Sequence, residues 1–234
     1  MAFQPSKLGT KEHWDKVYEE ELANFKEIGD EGEIWFGEES VDKMVEWTEE
    51  NLPPSDDLSI LEIGSGNGTL LFALAEAGYS QKVLSGIDYS PDAVNLSQAI
   101  AATREMNTIQ FNVCNFLAED TPTLPKMAGS TLEAWDLLLD KGTYDAIGLG
   151  VKDDEGKSPA AKYPARAARL MKPGGFFLIT SCNFTEDELK TAFSACDTGL
   201  QYHSRIQHPT FSYGGKSGSI VSTVAFQKKS QIQM

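Results

Sequence analysis

A doubly wound α/β sheet, mostly parallel, with a helical extension in front of it is the fold this sequence predicts. Three observations carry that prediction. From Leu58 onward, short apolar runs alternate with helix-patterned segments, the order that builds parallel strands with helices on both faces. A glycine-spaced turn, GSGNG at 64–68, joins the first of these runs to the first of these helices. Near the end, two β-like runs flank FSYGGKSG at 211–218, the pattern of an antiparallel hairpin.

Each element has its own signal. Trp14, Val17, Tyr18, Leu22 and Phe25 recur at three- and four-residue steps and predict an amphipathic helix over 10–27. GDEGEIWFGEES at 29–40 reads as a loop, with Ser40 as the cap of a second helix carrying Val41, Met44, Val45 and Trp47. NLPPSDD at 51–57 closes this extension, which divides the chain into 1–57 and 58–234. LSILEI is the first strand, and GTLLFALAEAG is a helix stopped by Gly78. KVLSGID is the second strand, and Ser90-Pro91 supplies a cap and first turn for the next helix. TIQFNV is the third strand, followed by a polar, proline-containing insert at 118–130. WDLLL is the fourth, AAKYPARAARLMK the helix after it, and Pro173-Gly174-Gly175 turns into FFLITS, the fifth. Thr185 caps EDELKTAFSAC, and LQYHSRIQ with SIVSTVAFQK forms the hairpin.

The 234 residues suffice for one substantial core, and 41% hydrophobic with 24% charged residues is the balance of a soluble globule. No apolar run reaches the length of a membrane helix, and the opening residues lack the apolar stretch of a secretory leader. Three scattered cysteines argue against a disulfide framework and fit a reducing compartment, by default the cytosol, though a nucleus would look the same. A monomer is the expected state. The formal net charge of −15 disfavours nucleic-acid binding and suits either a basic macromolecular partner or a merely solvated surface. His13, His203 and His208 lack metal-ligand spacing, and no metal is expected.

The chemistry concentrates at strand ends, where ligands sit in open α/β sheets. Gly64, Gly66 and Gly68, with Ser65 among them, follow a strand and precede a helix, so the turn can approach a ligand closely. Asp88 ends the second strand, where an acid accepts hydrogen bonds from ribose hydroxyls. Together they predict a nucleoside-type cofactor. A dinucleotide turn would need G-x-G-x-x-G, and Thr69 stands at its third glycine. GGKS at 214–217 is no phosphate loop, because Thr210 replaces the required earlier glycine. The fourth strand leads into DKGTYDAI at 140–147, an acid, a base, a glycine and a hydroxyl in a row.

The E-x-G-x-G-x-G arrangement at 62–68 resembles the first motif of the class I, seven-strand, Rossmann-like S-adenosylmethionine-dependent methyltransferases. LGTKEHWDKVYEEEL, GEIWFGEES, LEIGSGNG, GIDYSP, DKGTYDAI, GFFLITSCNFTEDEL and FSYGGKSGS follow in the order found in the elongation factor 1-alpha lysine methyltransferase family. That resemblance covers most of the chain. It implies an antiparallel strand in the late hairpin, S-adenosylmethionine as cofactor, and a lysine of translation elongation factor 1-alpha as acceptor. It places Glu62 and the glycine turn along the methionine end, Asp88 on the ribose, and Tyr89 with Asn115-Phe116 at the adenine. Many relatives carry aspartate at Asn115; its amide oxygen can still accept a hydrogen bond, without the charge.

Asp140 is the catalytic candidate: it could orient or deprotonate the lysine, bind the cofactor's amino group, or only cap the turn. Lys141 reads as the ion-pair partner of a local acid. Trp35, with Phe36, could cover the methionine end, where aromatic faces stabilise cations, or simply anchor the extension. Rival functions are a small-molecule methyltransferase and a non-catalytic binding module of the same fold.

Overall fold

The computed structural model describes residues 5–126, 133–195, 197–213 and 216–230. Its centre is a seven-stranded sheet built from β1 (Ile60–Ile63), β2 (Leu84–Asp88), β3 (Gln110–Val113), β4 (Trp135–Lys141), β5 (Met171–Ser181), β6 (Leu200–Ile206) and β9 (Ser222–Lys228). The order across it is β3-β2-β1-β4-β5-β9-β6. Strands β1 to β5 pair in parallel, and β9 runs antiparallel between β5 and β6. The predicted class, with its antiparallel strand in the late hairpin, is what the chain forms. Between β6 and β9 a small pair, β7 (Thr210–Tyr213) with β8 (Lys216–Ser219), adds a second sheet that the sequence reading merged into one turn. The glycines of GGKS, Cys196 and part of the insert at 118–130 lie outside the described residues.

The helices are α1 (Lys11–Ile28), α2 (Gly37–Asn51), α3 (Thr69–Glu76), α4 (Pro91–Thr103), α5 (Thr143–Gly148), α6 (Tyr163–Leu170) and α7 (Glu186–Phe193). Side chains alternate across a strand, so the sheet divides its apolar residues between two layers. Ile60, Leu84, Leu137, Leu139 and Leu178 pack with Leu22, Met44, Trp47, Leu71 and Leu96. Leu61, Ile63, Leu138, Phe177 and Ile179 pack on the other side with Tyr144, Tyr163, Ala167 and Phe193. The extension therefore shares a core with the sheet: Trp47 Nε1 donates to Ser204 Oγ at 2.9 Å, and its ring meets Phe176.

Several boundaries depart from the sequence reading. Ser40 does not cap α2: the helix begins at Gly37 behind Phe36, and Ser40 Oγ donates to the Phe36 carbonyl at 2.9 Å. Ser90 sits at the cap of α4 without a side-chain hydrogen bond; Asp88 Oδ1 accepts from its amide instead. Helix α6 is shorter than the helix predicted from AAKYPARAARLMK, because Met171 already pairs with Trp135 in the sheet. Pro173-Gly174-Gly175 then makes an irregularity inside β5, and the register resumes at Leu137 with Phe176. Thr185 does cap α7, through a reciprocal box with Glu188. DKGTYDAI holds an unforeseen element, the short helix α5, behind Gly142 in the left-handed region at φ 91°.

Candidate active site

The strand order reverses between β1 and β4, and the carboxyl ends of the strands leave a crevice there. A cavity of about 250 Å³ occupies it. Ile63 to Asn67 form one wall, Ile87 to Tyr89 the second, Cys114 to Leu117 the third, and Lys141 to Thr143 the fourth. Leu8, Gly9, Trp14, Tyr18, Glu33 and Trp35 of the extension line it as well.

The register explains the convergence. Ile63 pairs with Ile87 on one side and Asp140 on the other, so the residues following each strand meet at one edge. The glycine turn then folds back tightly. Gly64 and Ser65 both donate their amides to the Ile87 carbonyl, at 2.7 and 2.9 Å. Gly64 and Gly66 have φ of 71° and 53°, and a Cβ on Gly66 would meet the Tyr18 hydroxyl at 2.5 Å. Thr143 Oγ1 donates to Ile63 O at 2.8 Å and occupies the space a Gly64 side chain would need. These glycines answer both backbone angle and close packing.

Asp88 is buried, with Oδ2 accepting from Gly66 N at 3.1 Å and Oδ1 from Ser90 N at 2.9 Å. Burial pushes its carboxyl up to about 6, against those two amides and the charge of Lys11. Each oxygen retains acceptor capacity for a ligand. Tyr89 lies beside it, its hydroxyl 3.4 Å from Thr10 O and the Lys11 ammonium 5.3 Å from its ring centre. Asn115 lines the cavity, but its Oδ1 already accepts from Leu117 N at 3.1 Å. Phe116 lies 4.7 Å from the Tyr163 ring. Ser65 Oγ is buried without a partner among the described residues. Trp35 lines the cavity and packs edge-on against Trp14, ring centres 4.9 Å apart.

Two residues expected at the ligand stand behind the wall. Gly68 does not line the cavity; with φ 84° it caps α3 and leaves room for the Phe72 and Phe111 rings. Glu62 does not line it either, being fully inside β1 with Oε2 unpartnered among the described residues. Burial pushes the Glu62 carboxyl up to about 8 and the Lys141 ammonium down, while the opposite charge of each opposes the other's shift.

Asp140 reaches the right edge, yet its carboxylate is fully buried and is not part of the cavity wall. Oδ1 accepts from Thr143 N at 2.9 Å, Oδ2 from Tyr144 N at 3.0 Å, and the Tyr163 hydroxyl donates to Oδ2. This is the turn-capping geometry: the acid holds the first amides of α5. Burial pushes its carboxyl up to about 7. The Lys141 ammonium hydrogen-bonds the Trp35 carbonyl at 3.2 Å, where the sequence suggested an ion pair.

Sequence reasoning missed Trp14, Tyr18, Asn67 and Tyr163. Trp14 and Tyr18 read only as the apolar face of α1, and nothing in that periodicity says that the face covers a cavity. Asn67 Nδ2 donates to Glu31 O at 3.0 Å, tying the glycine turn to the loop before α2. Tyr163 gave no signal, because its partner Asp140 is 23 residues away in sequence.

Comparison with known proteins identifies the family. A family model described as a methyltransferase domain matches residues 54–229. The chain is 43% identical to EEF1A lysine methyltransferase 2 of Homo sapiens over 227 residues, 97% of this chain and 89% of that one. It is 39% identical to the protein-lysine N-methyltransferase efm4 of Schizosaccharomyces pombe, over 95% of this chain and 94% of the relative. Among solved structures, the N-methyltransferase NodS of Bradyrhizobium japonicum, in complex with S-adenosylhomocysteine, superposes with TM-score 0.60 at 16% identity. That match covers 92% of this chain and 98% of NodS. The [4+2]-cyclase SpnF superposes with TM-score 0.64 at 13% identity over 97% of each chain, so the shared architecture alone does not fix a reaction. Nearly full-length identity at this level, over a matched methyltransferase domain, places the chain in the methyltransferase family of EEF1A lysine methyltransferase 2 and EFM4.

Proposed function

We propose that this protein is an S-adenosylmethionine-dependent protein-lysine N-methyltransferase whose substrate is translation elongation factor 1-alpha. The observation that carries the reading is the joint presence of the glycine-turn cavity with Asp88 and of relatives along almost the whole chain that are named for this activity. The residues present suit the cofactor. Asp88 has acceptor capacity facing the cavity, Ser65 offers an unpartnered hydroxyl, and Gly64 and Gly66 leave the backbone bare. Tyr89, Asn115 and Phe116 would hold the adenine, Asp88 the ribose, and the glycine turn with Trp35 the methionine end. Glu62 stands behind that turn, inside β1.

S-adenosylmethionine supplies a methyl group on a sulfonium, and the acceptor amine must reach it neutral and in line. A free lysine with a pKa near 10.4 is almost wholly charged at pH 7, so desolvation and alignment are what the protein contributes. Trp14, Tyr18 and Trp35 line one side of the cavity and would shield a bound ligand there from water. Asp140 is assigned a positioning role: it fixes α5 and so the Lys141-Gly142-Thr143 wall, with its own oxygens fully engaged. The acidic surface, at a net charge of −15, favours encounter with a basic partner before contact. We expect the enzyme to act as a monomer in the cytosol; among the described residues no helix is long and apolar enough to cross a membrane.

The test is intact-mass and peptide mapping of unmethylated elongation factor 1-alpha incubated with the protein and S-adenosylmethionine. Added methyl groups on one lysine are the expected result. Label from a cell extract that enters only small molecules would replace this reading with a small-molecule methyltransferase.

A further inference from the structure

Lys141 ends β4 and lines the cavity, yet its ammonium is spent on a main-chain oxygen, the carbonyl of Trp35. Lys141 is half-buried, and an amine partly withdrawn from water onto one carbonyl has a cost, which points to a role for the contact in holding the backbone it binds. What it holds is a strained corner. Phe36 has φ 64°, in the left-handed region where a bulky residue persists only if its surroundings over-determine it. Its ring lies over Gly142, where a Cβ would come within 3.1 Å of Phe36 and 3.5 Å of Trp35. Gly142, with φ 91°, gives the corner its seat, and Lys141 beside it gives the bond.

The corner in turn carries the cavity cover. Trp35 packs on Trp14, and Trp14 Nε1 donates to Leu8 O at 2.7 Å. The contacts run without a break from the end of β4, through Lys141, Trp35 and Trp14, to the 6–9 segment. That segment is itself pinned where Ser6 N donates to Leu149 O at 3.1 Å, just past α5. Glu62, one strand away and buried, only partly offsets the burial that pushes the Lys141 ammonium toward its neutral form.

We infer that Lys141 is a positioning residue: by holding the Trp35 carbonyl it locks the Trp35–Phe36 corner onto the DKGT turn and preorganises the aromatic cover over the cavity. GEIWFGEES and DKGTYDAI are then two halves of one device. The inference relies on the cofactor reading only for what the cavity holds, and the latch itself can be tested without any ligand. The competing role for Lys141 is simple neutralisation of Glu62.

The experiment is hydrogen–deuterium exchange on the ligand-free full chain, paired with calorimetric titration of S-adenosylhomocysteine, for Lys141→Met and Lys141→Arg. In Lys141→Met, amides of 33–40 should exchange about tenfold faster while β1 keeps its protection, a local opening of the kind that exchange resolves. Affinity for S-adenosylhomocysteine should fall about tenfold, because the cover must now be ordered on binding. Lys141→Arg should recover much of both. Unchanged protection of 33–40 in Lys141→Met overturns the inference. So does weakened ligand binding with 33–40 still protected, which would leave only the charge of Glu62. Should Lys141→Met fail to fold, Lys141→Gln is read by the same criteria. If the parent protein binds no S-adenosylhomocysteine, the cofactor reading falls, while the exchange arm still decides the latch.

Discussion

Asp88 shows how a single side chain can be poised for a ligand and exposed to pH. Its two amide partners anchor it, and burial lifts its pKa to about 6. A protonated carboxyl accepts fewer hydrogen bonds, so cofactor affinity should fall as pH drops through that value. Titrating S-adenosylhomocysteine by calorimetry at pH 5.5 and 7.5 should show weaker binding at the acid end. Asp88→Ala should cost about tenfold at pH 7.5, from about 1–3 kcal/mol for a lost buried acceptor, and should flatten the dependence. A profile identical in the variant and the parent would take Asp88 out of the site.

At the scale of elements, alternation along β4 decides which part of DKGT does what. Leu137 and Leu139 face the layer of α1 to α4, and Lys141 continues that parity toward Trp35. Leu138 faces the α6 and α7 layer, and Asp140 continues toward Tyr163 and the start of α5. Neighbours in sequence thus serve opposite layers, one tying down the cover and the other capping a helix. Asp140→Ala would leave the Thr143 and Tyr144 amides and the Tyr163 hydroxyl without their acceptor. A loss of about 3 kcal/mol in urea unfolding is expected, since each such group costs about 1–3 kcal/mol and the costs overlap. Asp140→Asn should lose about half as much. Stability within about 0.5 kcal/mol of the parent, with turnover abolished, would move the carboxylate to the substrate instead.

Among the described residues, four buried carboxyls stand above their ordinary values: Asp88 at about 6, Asp140 at about 7, Glu62 at about 8, and Asp145, also pushed up by burial. The folded chain therefore holds protons that the unfolded chain has already released. The sign follows: this stability is fully present below about pH 4 and is lost as pH rises through 6 to 8. The net charge of −15 adds self-repulsion in the same direction. Urea unfolding of the ligand-free protein should give a lower free energy at pH 8.5 than at pH 5.5, and a rise would contradict the burial of these groups. Asp88 lines the cavity while Glu62 and Asp140 stand behind its wall, so the ligand-free site is a place where stability is given up for binding.

What the sequence by itself determined was everything written in short-range pattern. Alternating strand and helix periods gave the sheet, the glycine turn and Asp88 gave the cofactor end, and the ordered motifs gave the family. Those signals survive because they depend on neighbours a few residues apart. The tertiary structure alone decided the rest: that Trp14 and Tyr18 cover the cavity, that Glu62 and Gly68 stand behind it, and that Asp140 faces Tyr163 while Lys141 faces Trp35. These contacts join residues from opposite ends of the chain, and only the register of β1, β2 and β4 brings them to one edge. A side chain's burial and partners are set by what the sheet delivers to it, and no window of local sequence contains that information.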